Sequence, residues 1–80
     1  MSFEAPIAPD ALIAEALGCE PEEVSDGLGL GLHPKWDSLA HLRVMMLLEQ
    51  NYGVEIDDDS IRHYLTREAI HARYMEVAEE

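Results

Sequence analysis

Apolar residues recur at three- and four-residue steps in two stretches of the chain, which indicates helices. The first helix is expected to begin near Pro9, because proline lacks only an N–H that the first turn of a helix leaves unpaired. It is expected to end at Gly18, since glycine readily adopts the backbone conformation that stops a helix. The apolar positions between them are Leu12, Ile13, Ala16 and Leu17.

The most regular pattern predicts a long helix from Asp37 to Tyr52. Asp37 is a suitable N-cap, because its carboxylate accepts hydrogen bonds from free N–H groups of the first turn, and Gly53 ends the helix. The apolar positions are too many for a single buried seam. Those expected to face the core are Met45, Leu48 and Tyr52, and those expected to lie partly exposed as a docking surface are Leu39, Leu42 and Met46.

The rest of the chain predicts a long loop and two further helices. Cys19 to Asp37 is interrupted by prolines and glycines, yet it carries too many apolar residues for a solvated loop, so we expect it to cover the core. Its apolar residues are Val24, Leu28, Leu30, Leu32 and Trp36. Asp57 to Ser60 supplies caps for a short helix, and Thr66 caps a final helix. No segment alternates like a strand.

These elements predict an all-α fold, a small four-helix bundle of three longer helices and one short helix. With 80 residues the chain is expected to form one domain, 1–80, in which 1–7 lack a pattern and fray. The 17 acidic against 5 basic residues give a net charge of −12, which disfavours binding to nucleic acid or to anionic membranes. No apolar run approaches membrane-spanning length, and the single Cys19 is typical of the cytoplasm.

None of the possible catalytic or metal-binding patterns is complete. Gly27, Gly29 and Gly31 lack the spacing of a phosphate-binding loop, and the three acids 57–59 lack the remaining ligands of a calcium loop. The histidines and the cysteine are not spaced as metal ligands, so no metal is expected. Ser38 and His41 lie one helical turn apart, but no further catalytic group accompanies them. We therefore expect a protein that is not an enzyme.

The segment Trp36–Asp37–Ser38–Leu39 resembles the attachment motif of acyl carrier proteins, in which Asp-Ser-Leu opens the second helix. After it come a long apolar helix, the segment Glu49–Gln50–Asn51–Tyr52–Gly53–Val54–Glu55–Ile56, acids, a short helix and a closing helix. This order is similar to the family over nearly all of Ala11 to Val77. The resemblance implies a stand-alone carrier whose Ser38 bears a phosphopantetheine arm.

By that resemblance, a phosphopantetheinyl transferase adds the arm from coenzyme A, and the thiol of the arm holds an acyl group as a thioester. A loading ligase or transferase and a downstream synthase or acyltransferase, as in fatty acid or polyketide biosynthesis, are the further partners implied. A monomer is expected. The residues that match partner-binding positions, or lie among them, are Asp37, Leu39, Leu42, Arg43, Met46, Glu49 and Glu55.

Two stretches depart from the family pattern. Ala40, His41 and Arg43 stand where acids are usual, and Lys35–Trp36 stands where small residues are usual. These departures favour a carrier dedicated to one pathway. His41 and Arg43 either alter the choice of partner, contact the arm or are solvated. Two alternatives stay open: an aminoacyl or peptidyl carrier, and an unmodified helical module whose long helix binds a partner groove.

Overall fold

The computed structural model describes residues 6–79, and within that range it is all-helical. A 3₁₀ turn, Pro21–Glu23, lies in the loop between the first two helices. The prediction of three longer helices and one short helix is confirmed. The helices are α1 (Pro9–Leu17), α2 (Ser38–Tyr52), α3 (Asp58–His63) and α4 (Arg67–Ala78).

The ends of α2 follow from its sequence. The Asp37 carboxylate accepts a hydrogen bond from the backbone N–H of Ala40 at 2.9 Å, which satisfies one free donor of the first turn. Gly53 ends the helix with φ at 67°, in the left-handed region that glycine adopts without a Cβ clash, and its N–H donates to the Leu48 carbonyl. The predicted cap and stop of α2 are therefore both confirmed.

The core lies where α1, α2 and α4 meet. The side chains of Met45 and Leu48 are fully buried and Tyr52 is 2% exposed, as predicted for the inward side of α2. The other fully buried residues are Leu12, Ile13, Trp36, Val44 and Ile70. Arg73 of α4 joins the end of α2, because its guanidinium donates to the Tyr52 carbonyl.

The loop between α1 and α2 covers the core with only part of its apolar residues. Val24, Leu28 and Trp36 are buried, as expected. Leu30 and Leu32, however, are 37% and 68% exposed, so the prediction was wrong for these two. Backbone bonds hold the middle of the loop against the α3–α4 junction: the Leu30 N–H donates to the Leu65 carbonyl, and the Arg67 N–H donates to the Leu28 carbonyl.

At the N-terminal end, residues 1–5 of the segment expected to fray lie outside the described residues. Ile7 differs from that expectation: it is half-buried against the core, and its carbonyl accepts a hydrogen bond from the Tyr52 hydroxyl. Burial raises the pKa of that hydroxyl. Two interactions keep Ile7 in place: its apolar side chain packs against the core, and its carbonyl satisfies the buried Tyr52 hydroxyl. Among residues 6–79, the helices are too short or too polar to cross a membrane.

Candidate functional site

Ser38 is the first residue of α2, and its side chain is exposed. The preceding Asp37 is exposed as well and caps the helix. The N–H groups in the first turn of a helix have no helical acceptor, and the aligned peptide dipoles make this end positive. A phosphate ester on the Ser38 oxygen would therefore lie at the favourable end of a 15-residue helix.

A buried tryptophan fixes the approach of the chain to Ser38. Trp36 is fully buried, although it lies only two positions before the exposed serine. Its backbone N–H donates to the His33 carbonyl at 3.0 Å, and its backbone carbonyl accepts a hydrogen bond from the Gly31 N–H at 3.0 Å. The chain thus turns through the core immediately before α2 and emerges at the surface with Asp37 and Ser38.

The exposed residues Leu39, Leu42 and Met46 form a stripe on α2 that we call the outer face. They are 61%, 52% and 52% exposed, which confirms the predicted division of the helix. Their spacing of three and four residues places them on one side of the helix, starting beside Ser38. Arg43, which is also exposed, lies three residues before Met46 on the neighbouring row.

The outer face differs in charge from the rest of the chain. Ser38 to Leu48 contains no carboxylate, and Arg43 is its single Arg or Lys residue, whereas the whole chain has a net charge of −12. Of the acids predicted to bind partners, Asp37 directly precedes Ser38, whereas Glu49 and Glu55 are exposed but lie at and beyond the far end of α2. From Ser38 onward the structure thus places an apolar stripe with one cation before the next acids of α2.

His41 lies inside the molecule and not on its surface. It is 3% exposed, and both ring nitrogens have partners: Nδ1 lies 3.1 Å from the Trp36 indole nitrogen, and Nε2 lies 3.0 Å from the Ile61 carbonyl oxygen. The expectation that it is a solvated surface residue was therefore wrong. His41 faces Trp36. The sequence pattern did not show that these two residues are buried together.

A shallow groove between α1 and α2 borders the outer face. Its volume is about 230 Å³, and it is open to solvent. Met46 belongs to both the groove and the outer face, and Arg43, which lies beside the outer face, also lines the groove. The remaining lining residues are Glu15, Ala16, Leu47 and Gln50. The groove was not predicted, because it depends on how α1 packs against α2.

Cys19, Glu23 and His33 form a group whose possible ligand atoms lie within 4.8 Å of one another, which their sequence spacing did not reveal. The backbone N–H of Lys35 donates to His33 Nδ1, so the ring proton of the neutral histidine lies on Nε2. That nitrogen lies 3.6 Å from the Glu23 carboxylate. Burial and then Glu23 raise the pKa of the Cys19 thiol. Within this group, the described contacts hold His33 against the Lys35 backbone and beside Glu23.

Comparisons with known proteins identify the family of the chain. Two curated proteins named acyl carrier protein, from Rhodopseudomonas palustris strains BisB18 and HaA2, are each 38% identical to this chain over 55 residues. The matched part covers 69% of this chain and 70% of each relative. No family model and no solved structure matches. The chain therefore belongs to the acyl carrier protein family and is, like its relatives, a carrier and not an enzyme.

Proposed function

We propose that Ser38 carries a phosphopantetheine arm and that the protein delivers acyl thioesters on this arm to the enzymes of a biosynthetic pathway. The observation that carries the proposal is an exposed serine hydroxyl at the N-terminus of α2, within the Asp37–Ser38–Leu39 motif of a chain that belongs to the acyl carrier protein family. When bound, the arm would supply a thiol that holds an acyl group as a thioester.

The residues around Ser38 fit such an arm. Attachment needs an accessible oxygen: the Ser38 oxygen attacks the phosphorus of coenzyme A that bears the pantetheine, the bond from that phosphorus to the nucleotide breaks, and the transferase takes the serine proton. The exposed hydroxyl meets this need. The free N–H groups and the dipole of α2 favour the resulting phosphodiester anion, while the Asp37 cap keeps the helix start in place.

We further propose that the outer face of α2, together with Asp37, Arg43, Glu49 and Glu55, binds the transferase, the loading enzyme and a downstream synthase or acyltransferase. Three large apolar side chains with more than half of their surface exposed support this role, because they cost solubility unless a partner covers them in turn. Methionine adapts to different partner surfaces, since its side chain is flexible. A small interface gives brief encounters, as a carrier that visits several enzymes requires.

Measuring the intact mass of the protein tests the modification. The purified chain is incubated with coenzyme A and a broad-specificity phosphopantetheinyl transferase, and its mass is compared before and after. Wild type is expected to gain one arm. Ser38→Ala is expected to gain none, and Ser25→Ala, which removes another exposed serine in the loop, is expected to gain one arm like wild type. Circular dichroism checks that all three are folded.

Two results would contradict the proposal. A mass gain in Ser38→Ala would place the arm elsewhere. Unmodified wild type, in a reaction that modifies a control carrier, would favour the unmodified interaction module. In that case the outer face would remain a binding surface, but no thioester would form.

A further inference from the structure

His41 stands out among residues 6–79 because it is buried in the core although its whole ring is polar and can carry a charge. It lies on α2 three positions after Ser38, on the inner side of the helix. A buried polar group costs free energy unless its hydrogen-bonding atoms have partners, so the partners of this ring indicate what the residue does.

The partners of His41 fix its tautomer. An indole N–H only donates, so the contact of 3.1 Å from Trp36 Nε1 requires Nδ1 of His41 to accept. In the neutral ring the proton then lies on Nε2, which donates to the Ile61 carbonyl at 3.0 Å. The two rings are also stacked, with centroids 6.1 Å apart and planes inclined by 28°. Both polar atoms of the ring are satisfied, and the ring has one orientation.

Three elements meet at this ring. Trp36 is the last buried residue of the long loop before Ser38, His41 belongs to α2, and Ile61 belongs to α3. The loop contains Gly27, Gly29 and Gly31, which allow the backbone many conformations. The hydrogen bond from Trp36 therefore restricts the junction between a glycine-rich loop and the residue that we propose to be modified.

We propose that His41 is a positioning residue. It holds the Trp36–Asp37 junction against α2 and α3, so that the Ser38 hydroxyl meets the transferase in a single orientation. This inference rests on the proposed function of Ser38, because the orientation of the serine is measured through the rate of its modification. Loss of the ring contacts leaves only a fraction of the molecules in the orientation that the transferase can modify. Since the apparent affinity falls by that fraction, KM rises while kcat changes less.

The test compares His41→Phe, which keeps an aromatic ring without its polar atoms, with His41→Gln, whose side-chain amide both accepts and donates. His71→Phe is the matched control at an exposed histidine of α4. Steady-state transfer from coenzyme A is measured with the same transferase. We expect KM for His41→Phe to rise about two- to tenfold, the range of one hydrogen bond, with partial recovery in His41→Gln and no change in His71→Phe.

A second readout is independent of modification. The chain has a single tryptophan, so its indole N–H gives one resonance in a proton–nitrogen NMR spectrum. Its shift and its exchange with solvent should change in His41→Phe and recover toward wild type in His41→Gln. Urea denaturation gives the folded fraction, which separates mispositioning from unfolding. If His41→Phe fails to fold, Trp36→Phe removes the indole donor and leaves the histidine in place; its kinetic constants then replace the indole resonance as the readout, and the same rise in KM is expected.

Two outcomes would overturn the inference. A folded His41→Phe with an altered indole resonance and the kinetic constants of wild type would show that the link does not position Ser38. An unchanged indole resonance would show that the link itself is absent. Failure of the proposed function looks different: wild type would gain no arm, and the indole resonance would still respond to His41→Phe.

Discussion

The two sides of α2 have similar side chains and opposite surroundings. The outer face consists of Leu39, Leu42 and Met46, each more than half exposed. The inner face, which we define as Val44, Met45 and Leu48, is fully buried. Leucine and methionine occur on both, so composition does not distinguish them, and the three- and four-residue spacing does. The same residue types thus stabilise the fold on one side and remain available for binding on the other.

Replacing one leucine on each side should give the largest difference. Leu48→Ala is expected to lower the free energy of unfolding by about 2–5 kcal/mol, since it removes packed atoms and leaves a cavity. Leu42→Ala, the same change on the outer face, is expected to stay within about 0.5 kcal/mol of wild type. Urea denaturation followed by circular dichroism measures both. Equal losses for the two variants would contradict the assignment of the two sides.

A change at the start of α2 should lower the stability of the whole helix, by less than Leu48→Ala does. Asp37→Ala removes the acceptor of the Ala40 N–H and is expected to cost about 1 kcal/mol of stability. Asp37→Asn keeps an acceptor oxygen and should retain most of that stability. Thermal unfolding compares the two variants with wild type. If Asp37→Asn is destabilised as much as Asp37→Ala, the carboxylate charge and not the cap stabilises the helix start.

The smallest effect is expected far from either side, where α4 meets the loop. The Gly27 N–H donates to the Glu68 carboxylate at 3.1 Å, and this hydrogen bond lowers the pKa of the Glu68 side chain. A lowered folded-state pKa gives stability that is present above the unfolded value and is lost as the pH falls through the folded value. Glu68→Gln should therefore be slightly less stable than wild type at pH 7.

The difference in stability between wild type and Glu68→Gln should shrink as the pH falls below about 4.5, the ordinary pKa of a glutamate side chain. Unfolding midpoints across the pH range measure it. Because the residues from Ser38 to Leu48 include no carboxylate, Leu42→Ala should show the same acid dependence as wild type. A difference that persists at the same size below pH 4 would show that Glu68 acts through packing and not through its charge.

The sequence predicted the features that local signals determine. Asp37 and Gly53 bound α2 as expected, because caps and stops act within one turn of the helix. The division of α2 into inner and outer sides followed from spacing alone. The motif at Ser38 predicts an attachment site at the start of α2, where the structure has an exposed serine.

Features that depend on contacts between distant residues were not predicted. Leu32 resembles the other apolar residues of the loop, and only the path of the chain leaves it 68% exposed. The contact of His41 with Ile61 joins residues 20 positions apart. Trp36 and His41 each departed from the family pattern, but the sequence did not show that the two departures form one hydrogen bond. A buried donor and its acceptor are a pair, so neither is informative alone.

The neighbouring methionines of α2 also differ in their exposure to oxidants. Met46 is 52% exposed, whereas Met45 is fully buried, although the two are adjacent in the sequence. Peroxide converts an accessible thioether to a sulfoxide, which is polar, and reductases reverse the reaction. One added oxygen atom on Met46 would therefore make part of the outer face hydrophilic while the core stays intact. Oxidative stress would then weaken the proposed binding of partners to the outer face before it reaches the buried Met45.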